Sequence, residues 1–188
     1  ATGIYTAAEA KAVWKIRESG PRMASAVPGS LPRWEGWDDA SVAPERLGPY
    51  LRELRGLLDE YGYQAAFYGH FGHGCIHMQV SFDFETDEGI RKYEAFINRG
   101  ADLVVRYGGS LSGEHGDGQS RGALLPKMFG PELMQAFGEF KAVWDPGNRM
   151  NPHKVIDAYQ PTENLRLGAD YNPATPATFF TFPDDKGS

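Results

Sequence analysis

Four stretches of the chain place apolar residues at helical spacing. In the first, from Ala7 to about Arg17, the residues Ala8, Ala12, Val13 and Ile16 share one side, and Ser19-Gly20-Pro21 then reads as a hard stop. The second opens at Pro44, where a missing N–H does no harm, and Leu47, Leu51, Leu54 and Leu58 mark one face up to Tyr61. Thr86 or Asp87 caps the third, whose stripe is Ile90, Tyr93, Ile97, Ala101 and Val104, with Gly100 a weakness inside it. The fourth starts at Pro131, carries Leu133, Phe137, Phe140 and Trp144, and ends at Asp145-Pro146-Gly147.

Between the second and third helices the period changes. From Gln64 to Phe84, aromatic and β-branched residues interrupted by Gly69, Gly72 and Gly74 predict a strand, a glycine turn and a longer strand. In the longer strand Ile76, Met78, Val80, Phe82 and Phe84 face one way, and Cys75, His77, Gln79, Ser81 and Asp83 the other. One face is then core, and the other is polar and available. A short strand is expected near Met23 to Val27, followed by a loop in which Trp34 and Trp37 are interleaved with acids. Helices alternating with hairpin-like strands predict an α+β fold, an antiparallel β-sheet covered by helices. Residues 1–158 are expected to form the domain, and the Pro-rich 159–188 a linker or tail.

Composition narrows the partners. The 188 residues suit one domain, and 41% hydrophobic content supplies a core. With 19 Lys and Arg against 25 Asp and Glu, the net charge of −6 argues against nucleic acid and anionic membrane, leaving small molecules or other proteins. The single cysteine, Cys75, excludes an internal disulfide and any Cys-based cluster supplied by this chain alone, which fits a reducing compartment. No window approaches the roughly 18 uncharged apolar residues of a membrane span, and no signal layout opens the chain. The expectation is a cytoplasmic protein, with peripheral membrane association left open. A chain that starts at Ala1 is expected to be a segment of something longer.

The chemistry concentrates in two places. Three of the five histidines fall in Gly69-His-Phe-Gly-His-Gly-Cys-Ile-His77, a density that suggests a metal site held from both arms of a hairpin. The alternative is a set of turn histidines satisfied by backbone groups. The second place is Gly108-Gly-Ser-Leu-Ser-Gly-Glu-His-Gly-Asp-Gly118, where glycines permit close approach to a ligand. In it Glu114 offers a hard oxygen ligand and His115 a group that exchanges protons near neutrality, against the alternative of a plain solvent-exposed turn. Neither the dinucleotide G-x-G-x-x-G nor a phosphate loop is present. Arg17 can clamp a carboxylate or simply close a helix end, Asn151 can be a turn residue, and Cys75 reads as a small packed side chain.

Together these segments resemble the C-terminal domain of the FAD-linked oxidases, the group that holds the glycolate oxidase flavoproteins, the D-lactate dehydrogenases and the D-2-hydroxyglutarate dehydrogenases. The resemblance covers roughly residues 10–158 and rests on three ordered motifs: the His70 to His77 hairpin, Gly108 to Gly116, and Asp145 to Lys154. It implies that His70, His77 and Glu114 bind a divalent metal, zinc or manganese, and that His115 is the catalytic base. It further implies that Arg17 and Gln79 contact the substrate and that Asn151 lies near the flavin. The usual Asp-Gly-Asn between the hairpin histidines reads His73-Gly-Cys75 here, which leaves both ligands but alters what surrounds them.

The implied activity is oxidation of a D-2-hydroxy acid, of the D-lactate, glycolate or D-2-hydroxyglutarate type, to the 2-oxo acid by hydride transfer to FAD. FAD would be held mainly by an upstream domain, with an iron–sulfur module downstream as a further expected partner. The competing readings are a flavin-free metal-binding domain or metal-dependent hydrolase using His70, His77 and Glu114, and an inert fragment that keeps only the fold.

Overall fold

The computed structural model describes residues 6–25, 32–172 and 179. In chain order they form α1 (Ala7–Ser25), β1 (Ala40–Ser41), α2 (Pro44–Glu60), β2 (Ala65–His70), β3 (Cys75–Val80), α3 (Asp87–Arg106) and α4 (Leu125–Trp144). The strands make one antiparallel sheet in the order β1-β3-β2. The β2–β3 hairpin sets Tyr68 opposite His77 and His70 opposite Cys75, and β1 joins the far edge of β3 with Ala40 opposite Ile76. This is the α+β arrangement that the alternation of helical and strand periods predicts.

The apolar face of β3, with Ile76, Met78 and Val80, shares one continuous core with Leu47, Tyr50 and Leu54 of α2 and with Tyr93, Phe96 and Ile97 of α3. Burying a side chain of this size contributes about 1.5–3 kcal/mol, which is what ties both helices to the sheet. The Thr86 cap forms as expected, its hydroxyl accepting the Gly89 N–H at 3.0 Å. Trp37 is 1% exposed, and Gly100 of α3 is where its indole passes. A Cβ there would stand 3.0 Å from the ring, so this glycine is a close-approach position and not a weakness.

Three sequence expectations are corrected. The first helix does not stop at Ser19-Gly20-Pro21 but runs to Ser25, so the strand expected near Met23 to Val27 is helix up to that point; its end, Ala26–Val27, lies outside the described residues. A proline in a helix removes one N–H bond, and the good helix formers Arg22, Met23 and Ala24 carry α1 past it. The fourth helix begins at Leu125, before Pro131, and bends at Gly130; the proline heads the second piece. The longer strand expected to reach Phe84 ends at Val80, and its polar face is not open, because Cys75, His77 and Gln79, with Ser81 just beyond, are all buried. Segment 34–39 and the glycine loop roof it, and Asp38, Asp39, Glu35 and Glu114 meet that face directly. No helix among the described residues is long and apolar enough to cross a membrane.

The hairpin turn depends on Gly74. Its φ is 76°, its carbonyl accepts the Val42 N–H, and a Cβ would overlap the Val42 carbonyl oxygen. Left-handed strain and a backbone clash therefore act together. Gly74→Ala is expected to lower unfolding stability by about 3 kcal/mol or more in urea titration, whereas Gly72→Ala, which meets nothing within 4 Å, changes it by less than about 1 kcal/mol.

Candidate metal and catalytic site

The site lies where three segments meet: the β2–β3 hairpin, segment 35–39 leading into β1, and the glycine loop after α3. His70 closes β2 and His77 points from the roofed face of β3. Both rings turn Nε2 towards the same atom, Oε1 of Glu114, at 3.4 and 2.9 Å. His115 brings its own Nε2 to 3.6 Å from that oxygen, and its ring stacks on His77 with centroids 4.8 Å apart and planes 5° from parallel. Four of the residues expected at the site thus converge although they come from two distant parts of the sequence.

Two carboxylates that the sequence reading left in a loop organise this convergence. Asp39 is 3% exposed and has φ 72°, a left-handed conformation that Asp tolerates better than most residues. Its carboxylate accepts the Glu114 N–H at 3.0 Å, the His115 N–H at 2.8 Å, the Ser112 hydroxyl and the Cys75 thiol. Burial pushes the Asp39 carboxyl upward, but these hydrogen bonds outweigh it and hold the group down at about 2. The thiol moves the other way: burial first, then the Asp39 carboxylate, pushes Cys75 up to about 12. Cys75 is therefore a protonated donor in this arrangement, in keeping with its reading as a packed side chain.

Asp38 sits beneath the two stacked imidazoles, with Oδ1 3.4 Å from His77 Nδ1 and Oδ2 3.6 Å from His115 Nδ1. Arg121, only 6% exposed, holds the segment from below, donating to the Gly36 and Asp38 carbonyls at 3.1 and 2.8 Å with its guanidinium over the Trp37 ring. Burial pulls the Arg121 guanidinium down, while Tyr93 and the carboxylates of Asp38, Asp39 and Asp117 support its charge. A cavity of about 180 Å³ lined by Glu35, Asp38, Ser112, His115 and Arg121 opens beside the cluster.

The donor set suits a divalent cation. Imidazole nitrogen and carboxylate oxygen are the ligands zinc and manganese accept, and neighbouring ligands held at about 2.0–2.2 Å from a cation stand roughly 3–3.4 Å apart. The His70 and His77 separations from Glu114 Oε1 match that spacing. Among the described residues, the sets whose ligand atoms all lie within 4.8 Å of one another are Asp39, Cys75, His77 with Glu114, and Asp38, His77 with His115. His70 approaches the cluster through Glu114.

The remaining expected residues are spread more widely. Gln79 is buried on the same strand face and donates to Glu35 Oε1 at 3.1 Å, with the Tyr68 hydroxyl also meeting its side chain. Arg17 belongs to α1, which runs beside β2 and β3, but its side chain is outside the described residues. Asn151 stands exposed in the turn after α4 at φ 53°, apart from the cluster contacts. Lys154, in the same motif, reaches back to Gln119 at 2.8 Å and so ties the third motif to the glycine loop. Sequence reasoning missed Asp38, Asp39 and Arg121; the adjacent acids after a buried tryptophan were the only local signal, and it is weak.

Residues 2–155 match the family model described as FAD linked oxidases, C-terminal domain. The chain is 36% identical over 128 residues to D-2-hydroxyglutarate dehydrogenase of Haemophilus influenzae, covering 68% of this chain and 12% of that protein. It is 36% identical over 118 residues to D-2-hydroxyglutarate dehydrogenase of Escherichia coli K12, covering 63% and 12%. The same identity over 118 residues holds for D-lactate dehydrogenase of Archaeoglobus fulgidus, covering 63% and 26%. The matched region thus amounts to between 12% and 26% of the length of these curated relatives.

The Asp39 tether has a pH signature. A carboxyl held at about 2 when folded, against about 3.9 when unfolded, contributes on the order of 2 kcal/mol above about pH 5, lost as pH falls through 4 towards 2. Asp39→Asn keeps the shape and the left-handed backbone but not the charge. Unfolding titrations should show the wild type more stable by roughly that amount at pH 6 and the difference shrinking as pH approaches 2. A difference constant with pH would sink the assignment.

Proposed function

Because this chain belongs to the family of FAD-linked oxidase C-terminal domains, we propose that it is the substrate- and metal-binding part of an FAD-dependent dehydrogenase acting on a D-2-hydroxy acid. The observation that carries this reading is the convergence of His70, His77 and His115 on one oxygen of Glu114. Both named kinds of relative act on substrates with a hydroxyl beside a carboxylate, of the D-2-hydroxyglutarate and D-lactate type. That is the chemistry a cation with an adjacent base can engage. Family membership also favours this reading over the flavin-free hydrolase.

In the proposed arrangement His70, His77 and Glu114 hold the divalent cation. Bound there, the cation supplies Lewis acidity to the substrate hydroxyl and carboxylate, and FAD, held mainly by another domain of a longer protein, supplies the hydride acceptor. His115 takes the hydroxyl proton at Nε2, the nitrogen on the side of Glu114. Arg17 pairs with the substrate carboxylate and Gln79 orients the bound acid. The Glu35 and Tyr68 contacts fix the Gln79 amide in one direction, which matters because a free amide would lose that orientation. Asn151 contributes on the flavin side. An iron–sulfur module is proposed as the further electron-transfer partner.

Two measurements test this. Metal analysis of the chain after zinc or manganese reconstitution should find close to one equivalent, with affinity reduced at least about 100-fold in His77→Ala and Glu114→Ala and nearly unchanged in His115→Ala. In the full-length protein, anaerobic addition of D-2-hydroxyglutarate or D-lactate should bleach the yellow flavin absorption in the wild type, and His115→Ala should slow that bleaching about 100-fold or more. No bleaching by any D-2-hydroxy acid, in protein loaded with both FAD and metal, would overturn the reading.

A further inference from the structure

The two stacked imidazoles are oriented alike. Each turns Nε2 towards Glu114 Oε1, at 2.9 Å for His77 and 3.6 Å for His115, and each turns Nδ1 towards the Asp38 carboxylate. That carboxylate has one oxygen for each ring, Oδ1 for His77 at 3.4 Å and Oδ2 for His115 at 3.6 Å. Its position is fixed independently of the imidazoles. Oδ1 accepts the Met78 N–H at 2.8 Å, and the Asp38 carbonyl accepts Arg121 Nη2 at 2.8 Å.

His77 Nε2 hydrogen-bonds Glu114 Oε1 at 2.9 Å, two atoms that a cation bound between them would both take; its buried Nδ1 makes no hydrogen bond, and the nearest carboxylate to it is Asp38. Asp39 is the other carboxylate in range, at 3.8 Å from His77 Nδ1 and 4.0 Å from His115 Nδ1. Its oxygens are already engaged by Ser112, Cys75 and the Glu114 and His115 N–H groups, so it is the poorer acceptor on both distance and occupancy.

We propose that, with a cation on His77 Nε2 and Glu114 Oε1, Asp38 is a positioning residue that sets the tautomer of both imidazoles at once, holding the proton of each on Nδ1. His77 then presents the lone pair of Nε2 as a cation ligand, and His115 presents the lone pair of its Nε2 as the base. A neutral imidazole carries one N–H and one lone pair, and which nitrogen holds the proton is decided by the partner of the other. Only a carboxylate can serve both rings, because both its oxygens accept, whereas an amide offers one acceptor and one donor. This inference rests on the roles proposed above for His77 and His115.

Asp38→Asn is the discriminating variant. The Met78 N–H still requires an acceptor, so the amide carbonyl takes the Oδ1 side and the amide N–H₂ faces His115 Nδ1. A donor placed there favours the lone pair on His115 Nδ1 and moves its proton to Nε2.

The experiment is long-range proton–nitrogen correlation NMR on the zinc-loaded chain with labelled histidine, at about pH 8.5, some two units above the ordinary imidazole range. The wild type should show both His77 and His115 protonated on Nδ1. In Asp38→Asn, His115 should switch to Nε2–H while His77 does not, and zinc affinity should stay within about threefold. Asp38→Ala, which leaves both rings only the more distant and already engaged Asp39, should weaken zinc about 10–100-fold.

His115 protonated on Nε2 or on both nitrogens in the wild type, or unchanged in Asp38→Asn, overturns the proposal. The wild-type tautomers decide alone should the variant fail to fold. Zinc that does not bind through His77 overturns the metal assignment on which this inference rests, whereas zinc bound through His77 with His115 not protonated on Nδ1 overturns the inference alone, so the two failures are distinguishable.

Discussion

A carboxylate enclosed by protein must be compensated, and at Asp39 the compensation comes from hydrogen-bond donors in place of a cation. The Ser112 hydroxyl, the Glu114 and His115 N–H groups and the Cys75 thiol all converge on it. Successive backbone N–H groups around an anion form a nest, and here the nest is the Glu114–His115 part of the glycine loop itself. Glu114 and His115 are thereby held by their own main chain, leaving their side chains to face the hairpin histidines. The left-handed φ of Asp39 is part of the same constraint, since it turns the side chain of this residue into the loop while β1 continues along β3.

Beneath this nest the charges are arranged in layers. Asp38, Asp39, Glu114 and Asp117 gather on one side, a concentration of negative charge that raises the free energy of the apo cluster and favours anything cationic that enters it. Arg121 lies under them, packed on Trp37 and bonded to the carbonyls of Gly36 and Asp38. It offsets the acids without competing for their oxygens, so the carboxylates remain available to imidazoles and to a cation. The cluster is a tuned acidic cup on a buried guanidinium floor.

The parts legible in the sequence are those whose cause is local. The second and third helices announce themselves through leucine and aromatic stripes with Pro44 and Thr86 at their starts, and the hairpin through glycines between β-prone runs. His70, His77, Glu114 and His115 were found because imidazoles and a Glu-His pair in glycine-rich chain are chemically conspicuous and fall in recognisable motifs. The two-residue β1 has no period to read. Asp38 and Asp39 look like any acidic loop, because their significance lies in partners 36 to 76 residues away. Gly100 was misread for the same reason: the indole it makes room for belongs to Trp37, far along the chain. The openness of the polar strand face was overestimated because alternation tells which residues share a face, not what covers it.

Those separations also differ in the chain entropy they cost. The β2–β3 hairpin is closed by contacts between neighbouring parts of the chain, bringing His70 and His77 together with little chain entropy to overcome. The bonds from Ser112, Glu114 and His115 to Asp39 span 73 to 76 residues and close a far larger loop, across α2, the sheet and α3. The two hairpin imidazoles are thus brought together locally, whereas their meeting with Glu114 needs the whole fold. The convergence on Glu114 Oε1 is in that sense a report on whether the last loop has closed.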